Sequence, residues 1–279
     1  MTNVAFNLLK KMGISHHGAV ELLPKVTAHS YDADTLVTDR PLKSWVYVSD
    51  GLVGARSMGS SGLLPVCVYG AGSWFGEASL FEDEPVEFEY LCLTSTQTFA
   101  IPALAVRHAF EREDQFSRYT ARLFSGRSQQ HAETLRLMRD GGPCLRIVMA
   151  LVVVAQAVRS PGAMSHKKTH RVKTDDSLVI PVKQALLASM CGVSRGVFSS
   201  CLQGLAAGNW VSMNYSSLVM LRMTVGLRFY ASCRRMPLDA NKLDMDAILG
   251  MLQEAQDLVV NGESEINSKN CSEVDKPPD

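Results

Sequence analysis

The chain has 279 residues, of which 28 are basic and 28 are acidic, and 46% of its residues are hydrophobic. This length allows two modest domains with connecting elements. The longest apolar run, residues 147–155, is too short to cross a bilayer, which requires about 20 residues. Met1–Lys11 lacks the order of charge and apolar residues found in a signal peptide. We therefore expect a cytoplasmic protein with no membrane partner.

The seven cysteines are scattered, and none forms a C-x-x-C pair. An odd number without paired spacing argues against a disulfide framework and against a structural zinc site. We expect most of the cysteines to be small buried hydrophobic residues. No metal site and no cofactor is predicted from this pattern.

Charge is distributed unevenly along the chain. Residues 141–222 carry nine Lys or Arg and only two Asp or Glu, whereas residues 1–112 and 223–279 are each acidic. A basic segment suits a polyanion such as DNA, because binding releases counterions condensed on the phosphates. A solvated basic face without a partner is the alternative that charge alone leaves open.

Residues 4–23 show the spacing of one or two short helices, and the pattern then changes. Between Lys25 and Ile101, short runs rich in Val, Leu, Tyr, Trp and Thr alternate with Gly, Pro, Asp and Ser. Regularly spaced short strands of this kind are typical of a β-sandwich or barrel.

After Pro102 the apolar period becomes helical. The segment Gln115–Arg139 predicts a long amphipathic helix, and Asp140-Gly141-Gly142-Pro143 ends it in a hinge. A long helix with an apolar stripe commonly pairs with a second copy of itself, so we expect a dimer. Packing of the stripe against the helix's own domain is the alternative.

Residues 144–159 predict another apolar helix, followed by a polar, basic connector over residues 160–176. Beyond Met223 we expect a strand or short helix and then a helix around Asp239–Leu258. The polar residues from about 261 to 279 have the composition of a disordered tail.

Residues 182–205 carry the pattern of a helix-turn-helix. Leu187 and Met190 face inward on the first helix, Gly192 permits the tight turn, and Ser194 is a good N-cap for the second helix. The second helix has an apolar stripe at i, i+3, i+4 and i+7, formed by Phe198, Cys201, Leu202 and Leu205. The hairpin that follows, residues 210–221, predicts a wing. The expected DNA-contacting residues are Lys183, Ser194, Arg195, Ser199, Ser200 and Gln203.

Two stretches resemble a known family. Gly70–Phe81, followed by Glu82–Pro85, resembles the phosphate-binding cassette of cyclic-nucleotide-binding domains, and Ile180–Leu221 resembles the winged helix of the same regulators. Over residues 5–221 the chain is similar to the family of the cyclic-AMP receptor protein and the fumarate–nitrate regulator (CRP/FNR).

This resemblance implies an α+β fold with an N-terminal β-roll, which is a cyclic-nucleotide-binding-like jelly roll, a long dimerisation helix and a C-terminal winged helix-turn-helix. It divides the chain into a sensor domain (1–112), the dimerisation helix (113–140), the DNA-binding domain (141–222) and a C-terminal extension that is helical and then disordered (223–279).

The cassette departs from the family in its ligand-binding residues. Gly76 and Glu77 match, but Glu87 stands ten residues after Glu77, where the family places an arginine for the cyclic phosphate, and Phe88 follows it. A carboxylate at that position repels a phosphate. We therefore predict that the altered effector pocket formed by Gly76, Glu77, Glu87 and Phe88 does not bind a cyclic nucleotide.

The cysteines and histidines bear on two other cofactors, an iron–sulfur cluster and a haem. The oxygen-sensing branch carries N-terminal cysteines for an iron–sulfur cluster, whereas this chain has none before Cys67. A haem is not excluded by the sequence, but no histidine is identified as its ligand.

The second helix departs as well. Arg195 matches the family's arginine after the capping serine, but Gly196 and Ser200 replace a usual glutamate and arginine. We expect a target sequence that differs from the usual half-site, or recognition through phosphates and DNA shape.

The sequence thus predicts a homodimeric transcription regulator on a two-fold-symmetric operator of double-stranded DNA, with RNA polymerase or another regulator as candidate partners. The alternative is an interaction or scaffold protein of the same fold that acts on DNA through a partner protein. A cupin-type enzyme would need a cluster of metal ligands, and the β region holds only His29. No enzymatic activity is predicted.

Overall fold

A computed structural model describes residues 2–37, 43–58, 62–64, 67–81, 88–159, 176–213, 218–233 and 243–273. The described part of the chain combines helices with three antiparallel sheets, which confirms the predicted mixture of helix and sheet. The helices are α1 (Thr2–Lys11), α2 (His16–Leu22), α3 (Ala78–Phe81), α4 (Ala103–Arg112), α5 (Asp114–Asp140), α6 (Pro143–Arg159), α7 (Gln184–Met190), α8 (Arg195–Ala207), α9 (Met223–Cys233) and α10 (Met245–Glu273).

The strands are β1 (Thr27–Tyr31), β2 (Ser44–Asp50), β3 (Leu52–Ser57), β4 (Val68–Gly70), β5 (Trp74–Phe75), β6 (Phe88–Cys92), β7 (Thr96–Pro102), β8 (Leu178–Ile180), β9 (Val211–Met213) and β10 (Leu218–Met220). They are arranged in the orders β1-β7-β2-β5, β4-β3-β6 and β8-β10-β9.

The first two sheets enclose the N-terminal core. Side chains alternate along β2, so that Val46 and Val48 pack into the cluster shared with the second sheet, while Trp45 packs against the helices. Trp45 stacks on Trp74 with ring centroids 4.1 Å apart. A sheet buried on both faces explains why β2 is apolar at successive positions.

The long helix α5 packs against the N-terminal domain. Its side chains Phe116, Tyr119, Leu123 and Phe124 belong to the cluster that contains Trp45. The apolar stripe that predicted pairing with a second copy is therefore used, in this half of the helix, for packing within the same chain. The helix ends at Asp140, as the Asp140–Pro143 sequence predicted.

Helix α6 is the centre of the largest core cluster, and its residues 147–155 are all buried. The N-terminal sheet reaches it directly, because Leu52, Leu91 and Leu93 join the same cluster. At the contact, a Cβ on Gly70 would lie 1.7 Å from the Ala157 carbonyl oxygen, so only glycine fits there. The two parts of the chain thus share one apolar core. The predicted basic connector lies outside the described residues over 160–175.

The C-terminal part contains α7 to α10 and the sheet β8-β10-β9. Helices α7 and α8 are bent by 104° relative to each other. Helix α10 continues to Glu273, whereas the sequence predicted disorder from about residue 261, and residues 274–279 lie outside the described part. Among the described residues no single helix is long and apolar enough to cross a membrane, and α7 with α8 meets those criteria only when the two are added together.

Candidate nucleic-acid interface

Helix α8 begins at a side-chain cap and buries one face. The Ser194 Oγ accepts a hydrogen bond from the Val197 backbone N–H at 3.3 Å, as its position predicted. Gly192, in the turn before it, has φ +63°, a conformation that favours glycine. The buried face of α8 consists of Phe198, Cys201, Leu202 and Leu205, the same four residues that the sequence predicted.

The opposite side of α8 faces solvent. Its exposed residues include every predicted contact on this helix and its cap: Ser194, Arg195, Ser199, Ser200 and Gln203. Within α8, all of which the structure describes, Arg195 is the only side chain with a full charge at neutral pH. The result is an accessible surface with one guanidinium group among polar side chains, the glycine at position 196 and Val197, which is 41% exposed.

Lys183 lies outside α8 and already has a partner. It immediately precedes α7, and its ammonium group donates to both carboxylate oxygens of Asp34, each at 2.8 Å. Asp34 belongs to the N-terminal domain, 149 residues earlier in the chain. Both side chains are more than half exposed, so the ion pair is accessible to solvent ions. Sequence reasoning missed Asp34 because nothing local relates it to Lys183.

The sheet beside α8 has one more strand than the sequence predicted. β9 and β10 pair as the expected hairpin, and β8 adds to the outer side of β10. Their connecting turn, residues 214–217, lies outside the described residues. The guanidinium group of Arg222, just after β10, lies 4.8 Å from the Trp210 ring centroid, which ties the hairpin's two ends together.

The predicted effector pocket is occupied by an ion pair of the chain itself. Gly76 is buried with φ +87°, and Arg127 of α5 donates to the Glu77 carboxylate. The Arg127 and Glu77 side chains are only 14% and 28% exposed. Arg127 also lies 5.5 Å from the Tyr69 ring centroid. The sequence indicated Glu77 but not Arg127, which is 50 residues away.

The other two predicted pocket residues are Phe88 and Glu87. Phe88 begins β6 and packs half-buried against the cluster between the two sheets. Glu87 lies outside the described residues. Its neighbour Glu89 forms an ion pair with Arg56 of β3, with N–O distance 2.8 Å.

Burial dominates the electrostatics around the Glu77–Arg127 pair. It raises the pKa of Tyr69 and of Tyr90, and the Glu77 carboxylate adds to both rises. Burial likewise lowers the pKa of His131, and the positive charge of Arg127 lowers it further. These groups are neutral at physiological pH, so among the described residues named here the charges belong to Glu77 and Arg127.

Metal-binding side chains are not clustered in the described part of the chain. No group of three or more His, Cys, Asp or Glu is arranged there to hold a metal ion.

Comparison by sequence finds no family model and no curated protein that matches the chain. Comparison by structure finds many solved proteins. FixK2 from Bradyrhizobium japonicum superimposes with a TM-score of 0.56 at 14% identity, over 72% of this chain and 96% of FixK2. TTHA1359, a CRP/FNR-family transcriptional regulator from Thermus thermophilus, gives a TM-score of 0.55 at 16% identity, over 75% of this chain and all of that one.

A third similar structure is CLP from Xanthomonas campestris, a global regulator responsive to c-di-GMP. It gives a TM-score of 0.53 at 21% identity, over 74% of this chain and 99% of CLP. Each of these proteins is matched over nearly its whole length, whereas the sequence identity is low. The chain therefore has the fold seen in CRP/FNR transcription regulators, at low sequence identity to them.

Proposed function

We propose that this chain is a DNA-binding transcription regulator in which α7, α8 and the sheet β8-β10-β9 act as a winged helix-turn-helix. The exposed surface of α8, starting at the Ser194 cap, is the observation that carries this proposal. The 104° bend between α7 and α8 lies within the range of about 90–120° for helix-turn-helix pairs. In such pairs the N-terminal residues of the second helix contact base edges in the major groove.

Arg195 is the residue on which recognition depends most. A guanidinium group can contact guanine O6 and N7 through two hydrogen bonds, and the small side chains beside it allow the helix to approach the groove closely. Ser199, Ser200 and Gln203 supply weaker hydrogen-bonding groups. This composition favours a site with few directly read bases and a large contribution from phosphates and DNA shape.

Replacing Arg195 tests this assignment. We expect Arg195→Ala to weaken binding to duplex DNA about 10-fold, measured by fluorescence anisotropy with a pool of random-sequence duplexes. Arg112→Ala is the matched control, because Arg112 is an exposed arginine at the end of α4, in the N-terminal part of the chain. Equal affinities of the two variants and the unmodified protein would contradict the role of Arg195.

We further propose that the two N-terminal sheets form a β-roll sensor domain that takes no cyclic nucleotide. A cyclic phosphate needs an unpaired cation in the pocket, and the Arg127 guanidinium is held by Glu77. Glu87 adds a carboxylate where the family has its arginine. Calorimetric titration with cyclic AMP and cyclic GMP should show no binding to the folded protein. Saturable binding of either nucleotide would overturn this part of the proposal.

The proposed dimer uses the outer face of α5. Four small residues and Leu135 recur there at alternating spacings of four and three residues, and all are exposed: Ala121, Ser125, Ser128, Ala132 and Leu135. This is the a/d spacing of a coiled coil, and small side chains allow two helices to approach closely. Two winged helices held by such a pair would read a two-fold-symmetric operator. The proposal also includes the division of the chain into a sensor domain (1–112), a dimerisation helix (113–140), a DNA-binding domain (141–222) and a C-terminal extension (223–279).

The second candidate is an interaction or scaffold protein that reaches DNA through a partner. Two observations favour it: α8 carries a single cation, and Lys183 is engaged by Asp34. A scaffold of this kind would bind duplex DNA no better after Asp34 is neutralised. The regulator proposed here would bind more tightly.

A further inference from the structure

Two cysteines from different helices meet beside α8. The Sγ atoms of Cys144, in the first turn of α6, and Cys201, on the buried face of α8, are 2.8 Å apart. They are 57 residues apart in the sequence, so the contact is created by the packing of α6 on α8. The other cysteine of this region, Cys191, instead directs its thiol to the Arg146 carbonyl at 3.7 Å.

A cavity of about 540 Å³ opens onto this pair. Both cysteines line it, together with Gly142 of the hinge, Gly196 and Ser200 of α8 and Met245 at the start of α10. Cys144 is partly exposed, whereas Cys201 is buried. A small molecule that enters the cavity therefore reaches the Cys144 sulfur first.

We propose that Cys144 and Cys201 form a redox-active dithiol that is oxidised to a disulfide by exchange with a low-molecular-weight disulfide. The Cys144 sulfur attacks one sulfur of the incoming disulfide, forming a mixed disulfide and releasing one thiol, which takes up the Cys144 proton. The Cys201 sulfur then attacks Cys144, and the second thiol leaves with the Cys201 proton. The protein loses two electrons and two protons, and the incoming disulfide gains both.

The environment supports this order of attack. Cys144 lies in the first turn of α6, partly exposed and lining the cavity, so an incoming disulfide can reach its sulfur. Burial raises the pKa of Cys201 to about 12, with the Cys144 thiol contributing to the rise, so little Cys201 thiolate is available to make the first attack.

The disulfide would fix the proposed reading helix to α6. Because the two sulfur atoms already lie 2.8 Å apart, the bond can form with little movement of either helix. The cross-link would join the hinge end of α6 to the middle of α8, so that α8 could no longer shift relative to the hinge. This inference concerns the pairing of the two thiols and does not depend on DNA binding.

The test is oxidation of the folded, full-length protein with glutathione disulfide, followed by digestion and mass spectrometry without reduction. We expect a peptide pair joined through Cys144 and Cys201 and the loss of two reactive thiols. Cys191→Ser is the matched control and should give the same cross-link, whereas Cys201→Ser should retain a glutathione adduct on Cys144.

Absence of the Cys144–Cys201 peptide from folded, treated protein would overturn the proposal, as would a cross-link of equal yield to another cysteine. A Cys201→Ser protein that carries no adduct on Cys144 would contradict Cys144 as the attacking group. Circular dichroism of each variant establishes that the protein tested is folded.

Discussion

Lys183 shows how a single contact changes what a residue is free to do. The sequence predicted that Lys183 contacts DNA, yet its ammonium group is bound to both oxygens of Asp34. The pair is exposed, so it contributes little to stability. The pair bears on DNA binding, because Asp34 and a DNA phosphate would compete for the same ammonium group.

Neutralising Asp34 should therefore release Lys183 for DNA. We expect Asp34→Asn to tighten binding to random-sequence duplexes and to steepen the dependence of log K on log salt by up to about 0.9, the value for one added phosphate contact. Asparagine tolerates the positive φ of 63° at this position, so the backbone should be unaffected. The measurement is fluorescence anisotropy over a series of salt concentrations.

Asp32→Asn is the control for this experiment, because it removes the same charge from an exposed neighbour two residues away. If both variants steepen the salt dependence equally, the effect comes from overall charge, and the competition between Asp34 and DNA would be refuted.

The contact between Glu77 and Arg127, which are 50 residues apart, bears on the sequence prediction that no cyclic nucleotide binds. The carboxylate at position 87 already predicted that a cyclic phosphate would be repelled. Arg127, on the long helix, supplies a cation in the pocket but is held by Glu77. No local pattern relates these two residues, since the pairing depends on how α5 lies across the N-terminal domain.

Among the secondary-structure elements, α8 was predictable because its determinants are local. Ser194 caps the helix, Gly192 permits the turn, and the i, i+3, i+4, i+7 spacing fixes the buried face. Strand β8 was not predicted, because it pairs with β10 far along the chain, whereas the equally short β9 is joined to β10 in a local hairpin. Local elements thus follow from sequence, whereas a short strand outside a hairpin depends on a distant partner.

Helix α5 shows the limit of an amphipathic pattern. The pattern predicted an apolar stripe on this helix, to which Phe116, Tyr119 and Phe124 belong, but a stripe does not say what covers it. In the structure these residues pack on the helix's own N-terminal domain. The face left for a second copy is the one with small residues, which a hydrophobic pattern does not mark.

A charge placed on that face should separate the proposed dimer. We expect Ala132→Glu to convert the protein to a monomer in sedimentation equilibrium, because two carboxylates would meet where the helices approach. Gln130→Glu introduces the same charge at an exposed position on another side of α5 and should leave the dimer intact. A monomeric unmodified protein, or identical behaviour of both variants, would rule out this face as the interface.

For the molecule as a whole, the shared core is the most consequential feature. The sheet β4-β3-β6 packs on α6 through β4, and Leu52 of β3 and Leu91 of β6 belong to the same core cluster as α6, which in turn packs on α8. Because packed interiors are nearly incompressible, a displacement of that sheet would be passed to α6 and the proposed reading helix. The sequence predicted separate sensor and DNA-binding domains, and it gave no sign of this direct packing, which joins residues far apart along the chain.

The central claim, that α8 reads DNA, is tested most directly by selecting binding sites from a pool of random-sequence duplexes with the full-length protein. The regulator proposed here should enrich a two-fold-symmetric motif with half-sites about 10 base pairs apart, centre to centre. The Arg195→Ala protein should fail to enrich that motif. Folded protein that enriches no sequence, or an Arg195→Ala protein that enriches the same motif equally well, would contradict the claim.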